Sequence, residues 1–160
     1  MIEASENELI EVGEYRQSGR KVKMRADAAA ALQNMIFQAR AEAVAIVPIS
    51  GFRTIAYQEI LFQKATARYG SEAAAARWVA RPGSSEHHTG LAIDLGDENE
   101  PAGDVEVSFE KTGAFGWLQE NAARFEFEMS YPPNNSHGIN YEPWHWRFIG
   151  APDAKQIFQK

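Results

Sequence analysis

Two polar segments far apart in the chain constrain its fold more than anything else: Ser85-Glu86-His87-His88-Thr89-Gly90-Leu91-Ala92-Ile93-Asp94 and Glu142-Pro143-Trp144-His145. Imidazole nitrogen and carboxylate oxygen both suit zinc, and a catalytic zinc keeps three protein ligands and an open fourth position. His87, Asp94 and His145 make such a set. Glu142, three residues before the last of them, is a carboxylate able to take a proton from bound water. Seven residues of helix would hold His87 and Asp94 about 10 Å apart, and seven of extended strand about 23 Å. Both must lie about 2 Å from one ion. The chain therefore has to fold back between them, and Gly90 tolerates the positive φ that such a bend needs.

The rest of the pattern predicts a simple order of elements. Residues 1–26 are polar and read as a loosely held lead-in, with a short strand around Lys21 to Met24; residues 27–160 form one domain. Asp27 is a candidate N-cap for a helix to about Ala43, with Leu32, Met35, Ile36 and Ala39 at helical spacing. Val44 to Ile49 reads as a buried strand. Thr54 can cap a helix that ends near Gly70, and Ser71 begins a shorter one through Val79. Leu91 to Leu95 is a short strand in which Asp94 is the polar exception, costly to bury unless paired or metal-bound. Residues 96–111 read as a long surface loop. A helix from Phe115 to Ala123 and a half-exposed strand over Phe125 to Met129 follow. Trp144 to Phe148 alternates with period two, so that His145 and Arg147 share one face. Pro152 can open a C-terminal helix. Helices interleave with short, hairpin-like strands, which predicts an α+β fold with a small, mainly antiparallel sheet flanked by helices.

The pattern Ser-x-His-x-x-Gly-x-Ala-x-Asp followed by Glu-x-x-His resembles the zinc D,D-carboxypeptidases and dipeptidases of the VanY, VanX and VanXY group, the LAS peptidases, whose fold is shared by hedgehog signalling domains. The resemblance runs from about Asp27 to Gly150 and includes Ser50-Gly51-Phe52-Arg53 and Tyr141-Glu142-Pro143-Trp144-His145-Trp146. It implies zinc on His87, Asp94 and His145, Glu142 as catalytic base, Arg53 as the cation that polarises the substrate, and Gln58 and Ser85 at the substrate end of the pocket. The implied activity is removal of the terminal D-Ala from peptidoglycan stem peptides or precursors ending in D-Ala-D-Ala. Two alternatives remain: an endopeptidase cutting the L-Ala to D-Glu link of cell wall, and a non-catalytic zinc-bearing binding or signalling domain. Similar sequences carry glycine where this chain has Glu126.

Blander roles exist for each residue. Arg53 could be a surface ion-pair partner, Gln58 a helix-surface amide and Ser85 a turn residue. His137 is read as structural or exposed, and so is His88, whose place beside a ligand looks exposed.

Composition narrows the classes of function. With 160 residues and 44% apolar content, the chain suits one domain able to bury a core. A net charge of −6 without a basic run argues against nucleic-acid binding. Cysteine is absent, so neither disulfides nor thiolate zinc sites arise. No apolar run reaches eighteen residues, and the N-terminus lacks the features of a secretory signal. A monomer is expected. If the substrate is cell wall, the natural precursor carries an export or anchor segment and the protein works outside the cytoplasm; otherwise it is cytoplasmic.

Overall fold

The apolar run around Asp94 becomes a fully buried strand, so one carboxylate is carried into the interior. The computed structural model describes residues 1–159. Its strands are β1 (Leu9–Glu14), β2 (Lys21–Arg25), β3 (Ile46–Ser50), β4 (Ala92–Asp97), β5 (Phe127–Met129) and β6 (His145–Phe148). Its helices are α1 (Ala26–Ala41), α2 (Ile55–Tyr69), α3 (Glu72–Ala75), α4 (Gly113–Asn121) and α5 (Ala154–Phe158), with short 3-10 turns between elements. The fold is α+β. Strands β3, β4, β6 and β5 pair in that order, each pairing antiparallel, and β1 with β2 makes a separate hairpin.

Helix ends follow local chemistry. Thr54 Oγ1 accepts the Tyr57 N–H at the start of α2, and Gly70 closes it with φ +84°. Asp27 does not cap α1; it lies inside the first turn, where its carboxylate accepts the Ala28 N–H and pairs with Arg25. One face of α1, with Leu32, Met35 and Ala39, packs with Ile93 and Leu95 of β4, Trp146 and Phe148 of β6, and Phe115 and Leu118 of α4. Each large apolar side chain buried this way stabilises the fold by roughly 1.5–3 kcal/mol.

Two stretches differ from their sequence reading. Residues 1–26 are not loosely held: the alternation Lys-Val-Lys-Met-Arg makes β2 amphipathic, and Val22 and Met24 are 1% and 0% exposed in the main core. The lead-in is part of the domain. Strand β2 also reaches the site, because the Phe52 N–H donates to the Lys23 carbonyl at 2.7 Å and the Arg25 N–H to the Gly90 carbonyl at 2.9 Å. Residues 96–111 are not a plain surface loop. The first two end β4 and the rest fold into two 3-10 turns, with Asp97, Asp104 and Phe109 buried. Their polar residues have partners: Arg16 holds both Asp104 oxygens and the Asp97 carbonyl, and Asp97 Oδ2 accepts the Ala114 N–H of α4.

Glu126 has φ +62°, where a side chain is strained and glycine is not. Its side chain is exposed. Glu126→Gly should therefore raise stability by about 0.5–1 kcal/mol, or roughly 2 °C in melting temperature for a domain of this size. Calorimetry of the two proteins checks this, and a lower melting temperature in the glycine variant would count against strain at Glu126.

Candidate metal centre

Ser85 starts the fold-back, its Oγ accepting the N–H of His87, and a single 3-10 turn over Glu86–Thr89 follows. Gly90 ends that turn at φ +70°, which returns the chain into β4 and brings Asp94 level with His87. Strand β6 pairs with β4 in a register that sets His145 directly opposite Asp94. His87, Asp94 and His145 are all buried, with ligand atoms within 4.8 Å of one another. Asp94 Oδ1 lies 3.3 Å from His87 Nε2 and 3.1 Å from His145 Nδ1.

These distances fit an ion. Ligands about 2.0–2.1 Å from a tetrahedral zinc stand roughly 3.3 Å from one another. The tautomers fit as well. His87 Nδ1 donates to the Gly51 carbonyl at 2.7 Å, which leaves Nε2 turned inward with its lone pair. His145 Nε2 lies 2.9 Å from Glu86 Oε2, which leaves Nδ1 facing Asp94. Gly51 has no alternative here, since a Cβ would collide with the Lys23 carbonyl oxygen.

Around these three residues the predicted site residues converge. Glu142 is 7% exposed, with Oε2 3.8 Å from His145 Nδ1. Arg53 donates through Nη2 to Asp94 Oδ2 at 2.8 Å and through Nε to Ser50 Oγ at 2.9 Å. It is not a surface cation. Gln58 is 1% exposed and not a helix-surface amide: its Nε2 donates to the Ala80 carbonyl and its Oε1 accepts from Arg53. Ser85 and Gln58 line a cleft of about 320 Å³ with Arg53, His87, Asp94, Glu142, Trp144 and His145. His88 is buried rather than exposed; its Nδ1 donates to the Arg53 carbonyl and its Nε2 accepts the Gly83 N–H, so it holds the Arg53 loop. His137 packs edge-on against Tyr131.

Glu86 is the residue that sequence patterning does not single out. Its carboxylate, 4% exposed, takes hydrogen bonds from Ser130 Oγ and Arg147 Nη1 besides its contact with His145. Arg147 also pairs with Glu128 on β5. The available signal was Arg147 itself: two residues from His145 in a strand, it shares that face and needs a carboxylate near the ligand.

The electrostatics divide the carboxylates by role. Burial disfavours charge on Glu86, yet hydrogen bonds from His145 and Ser130 and the charge of Arg147 hold it at about 2. Burial likewise opposes ionisation of Asp94, but His87, His145 and Arg53 hold it far below the usual carboxylate range. Burial dominates at Glu142 and pushes its carboxyl up to about 8, the direction that suits a group exchanging protons near neutrality. Burial also lowers His87 to about 4. It disfavours charge on His145 too, but hydrogen bonds to Asp94 and Glu86 raise that imidazole to about 10.

A family model described as VanY, D-alanyl-D-alanine carboxypeptidase, matches residues 21–151. The chain belongs to the VanY family. Among VanY relatives, a D-alanyl-D-alanine carboxypeptidase of Enterococcus faecalis is 34% identical over 139 residues, covering 81% of this chain and 49% of that protein. The chain spans about half the length of the curated relatives it matches. The solved structure of the LdcB LD-carboxypeptidase matches with a TM-score of 0.79 and 32% identity, over 97% of this chain and 73% of that one. A mutant of the vancomycin resistance D,D-pentapeptidase VanY from the VanB-type cassette, in complex with Zn(II), matches with a TM-score of 0.70 and 31% identity, over 92% and 83%.

Two measurements follow from this geometry. Glu86→Gln keeps the size of the side chain but leaves Arg147 with Glu128 as its one charge partner among the described residues and His145 with a weaker acceptor. Zinc affinity should fall about 10- to 100-fold, as read by competition with a chelator; unchanged affinity would show that Glu86 does not orient His145. The second is a pH profile of the metal-free protein. Glu86, lowered from 4.5 to about 2, and His87, lowered from 6.5 to about 4, contribute stability that is lost as pH falls. Glu142, raised from 4.5 to about 8, and His145, raised from 6.5 to about 10, give stability that is lost as pH rises. The melting temperature should therefore peak between about pH 5 and 6.5. Zinc replaces the His145 proton, so saturating metal should flatten the alkaline side. A metal-free protein most stable at pH 9 would contradict the assignment.

Proposed function

We propose that this chain is a zinc-dependent carboxypeptidase that removes the terminal D-Ala from peptidoglycan stem peptides ending in D-Ala-D-Ala. The observation that carries this reading is the convergence of His87 Nε2, Asp94 Oδ1 and His145 Nδ1 beside Glu142, with Arg53 on the second oxygen of Asp94. Membership of the VanY family supports the substrate class.

Zinc bound by these three residues supplies a Lewis acid and lowers the pKa of its water toward about 7. Glu142 takes the proton of the attacking water and returns it to the leaving amine; burial raises its proton affinity above that of an ordinary carboxylate. Arg53 stands beside the reacting carbonyl and stabilises negative charge that exists only after attack. Gln58 and Ser50 hold its guanidinium in one plane, so little reorganisation is needed at that moment. Ser85 and Gln58 offer polar groups to the peptide.

The structural likeness to an LD-carboxypeptidase over 97% of the chain favours a second reading, in which terminal D-Ala is removed from a tetrapeptide with an L-centre before it. The zinc-loaded protein, incubated separately with the pentapeptide and the tetrapeptide and followed by mass analysis, distinguishes the two. Loss of one D-Ala from the pentapeptide supports the first reading, and cleavage of the tetrapeptide alone replaces it with the second. On the cleaved substrate, Glu142→Gln should lower kcat by about 10²- to 10⁴-fold with zinc still bound. Arg53→Lys, which keeps charge but loses the planar fork, should lower kcat/KM by about 100-fold. Wild-type kinetics in either variant would remove that residue from the mechanism.

A further inference from the structure

The cleft does not stop at the metal centre. Beyond Gln58 it continues along one face of α2, where Leu61, Ala65 and Arg68 recur at intervals of three and four residues and Lys64 lies beside them. Ten residues of helix separate Gln58 from Arg68, a rise of about 15 Å. An extended peptide advances roughly 3.3 Å per residue, so four or five residues fit along that length. The far wall is apolar: Tyr69 and Trp78 stack at 6.2 Å, and both stay partly exposed, at 37% and 39%. Across the cleft, Val105 holds φ +56°, a costly backbone for a β-branched residue, next to the Asp104 carboxylate that Arg16 clamps.

Two cations sit in this extension without a partner. Lys64 and Arg68 are exposed and line the cleft. Among the described residues, no ion pair engages either of them. The only contact of this kind is the Arg68 guanidinium 5.3 Å from the Tyr69 ring centre. Other exposed cations among the described residues, Arg20, Arg77 and Arg124 included, also lack an ion pair; what sets Lys64 and Arg68 apart is that both line the cleft. The carboxylates of the cleft, Asp94 and Glu142, stand at its metal end. The cleft therefore runs from an acidic, metal-binding end to a basic, aromatic-walled end.

We propose that Lys64 and Arg68 form a subsite for a carboxylate of the peptide substrate, placed beyond the residue at which cleavage occurs, with Tyr69 and Trp78 covering the aliphatic part next to it. This rests on the reading above only in taking a peptide as the substrate. In a stem peptide the free α-carboxylate of its γ-linked D-Glu has the right chemistry and lies two residues before the terminal bond, whereas the C-terminal carboxylate, one residue past that bond, stays at the metal end and serves as the control.

The test separates them. Zinc-loaded Glu142→Gln protein, which binds without turnover, is titrated calorimetrically with L-Ala-γ-D-Glu-L-Lys-D-Ala-D-Ala, with the same peptide amidated at the D-Glu carboxylate, and with the same peptide amidated at its C-terminus. Each titration is repeated with Lys64→Ala and Arg68→Ala added. The added pair should weaken binding of the unmodified peptide about tenfold, as expected for two partly exposed ion pairs, and the loss should shrink in high salt. With the D-Glu amide the added pair should make no difference, and with the C-terminal amide the loss should persist; the reverse pattern would overturn the proposal. Equal affinity with and without the two cations, an equal loss for all three peptides, or no binding of any of them would overturn the proposal. Both side chains are exposed, so an unchanged melting temperature excludes misfolding as the cause. Hydrolysis by the wild-type protein is followed in parallel: absence of cleavage with charge-dependent binding removes the carboxypeptidase reading alone, and cleavage without charge-dependent binding removes this proposal alone.

Discussion

The hydrogen bond from His87 Nδ1 to the Gly51 carbonyl, with its counterpart from His145 Nε2 to Glu86, decides which ring nitrogens face the metal position. Without them each imidazole could rotate or change tautomer, and the spacing of about 3 Å around Asp94 Oδ1 would not persist. Each bond in turn depends on something further out. Gly51 can approach only because it lacks a side chain, and Glu86 is held by Ser130 and Arg147. The donor set is small, but its geometry is imposed from the β2 edge on one side and from β5 and β6 on the other.

Asp94 ties the candidate donor set to Arg53. One oxygen faces the two histidines and the other faces Arg53, so the position of the guanidinium is set by the same side chain that completes the donor set. Arg53 is also fixed through its backbone, with its N–H on the His87 carbonyl and its carbonyl on His88 Nδ1. The cation and the ligand loop are thus joined by two hydrogen bonds. Pre-arranged charge of this kind is where a hydrolase gains most of its electrostatic advantage, because the donors need not reorganise during the reaction.

Much of the site was legible in the sequence because its chemistry is rare there. Three mutually spaced ligands, a carboxylate near the last and a glycine in the bend leave few alternatives, and the ends of α2 were marked by Thr54 and Gly70. What stayed hidden was burial of polar residues. Glu86, Gln58, His88 and Asp104 are of types that usually face water, and only the arrangement of their partners makes burial tolerable. Of the hairpin in residues 1–26, β2 was expected around Lys21 to Met24 but β1 and the burial of Val22 and Met24 were not, since five residues of alternation with two apolar side chains give little weight against polar surroundings.

The stitching of β2 to the site loops has a consequence for how the centre comes into being. Phe52 and Gly90, next to the two loops that carry Arg53 and His87, are each bonded to the N-terminal hairpin, and His145 arrives from the other end of the chain on a central strand. His87 and Asp94 share one fold-back, but His145 joins them only through the pairing of β6 with β4. In small zinc-dependent modules the ion organises a few neighbouring residues and folding follows. Here the order is reversed: the long-range pairings, slow to form because they close large loops, must be complete before three donors exist in one place. An ion held by these donors would be captured by a finished fold, and its supply would govern occupancy without directing the folding pathway.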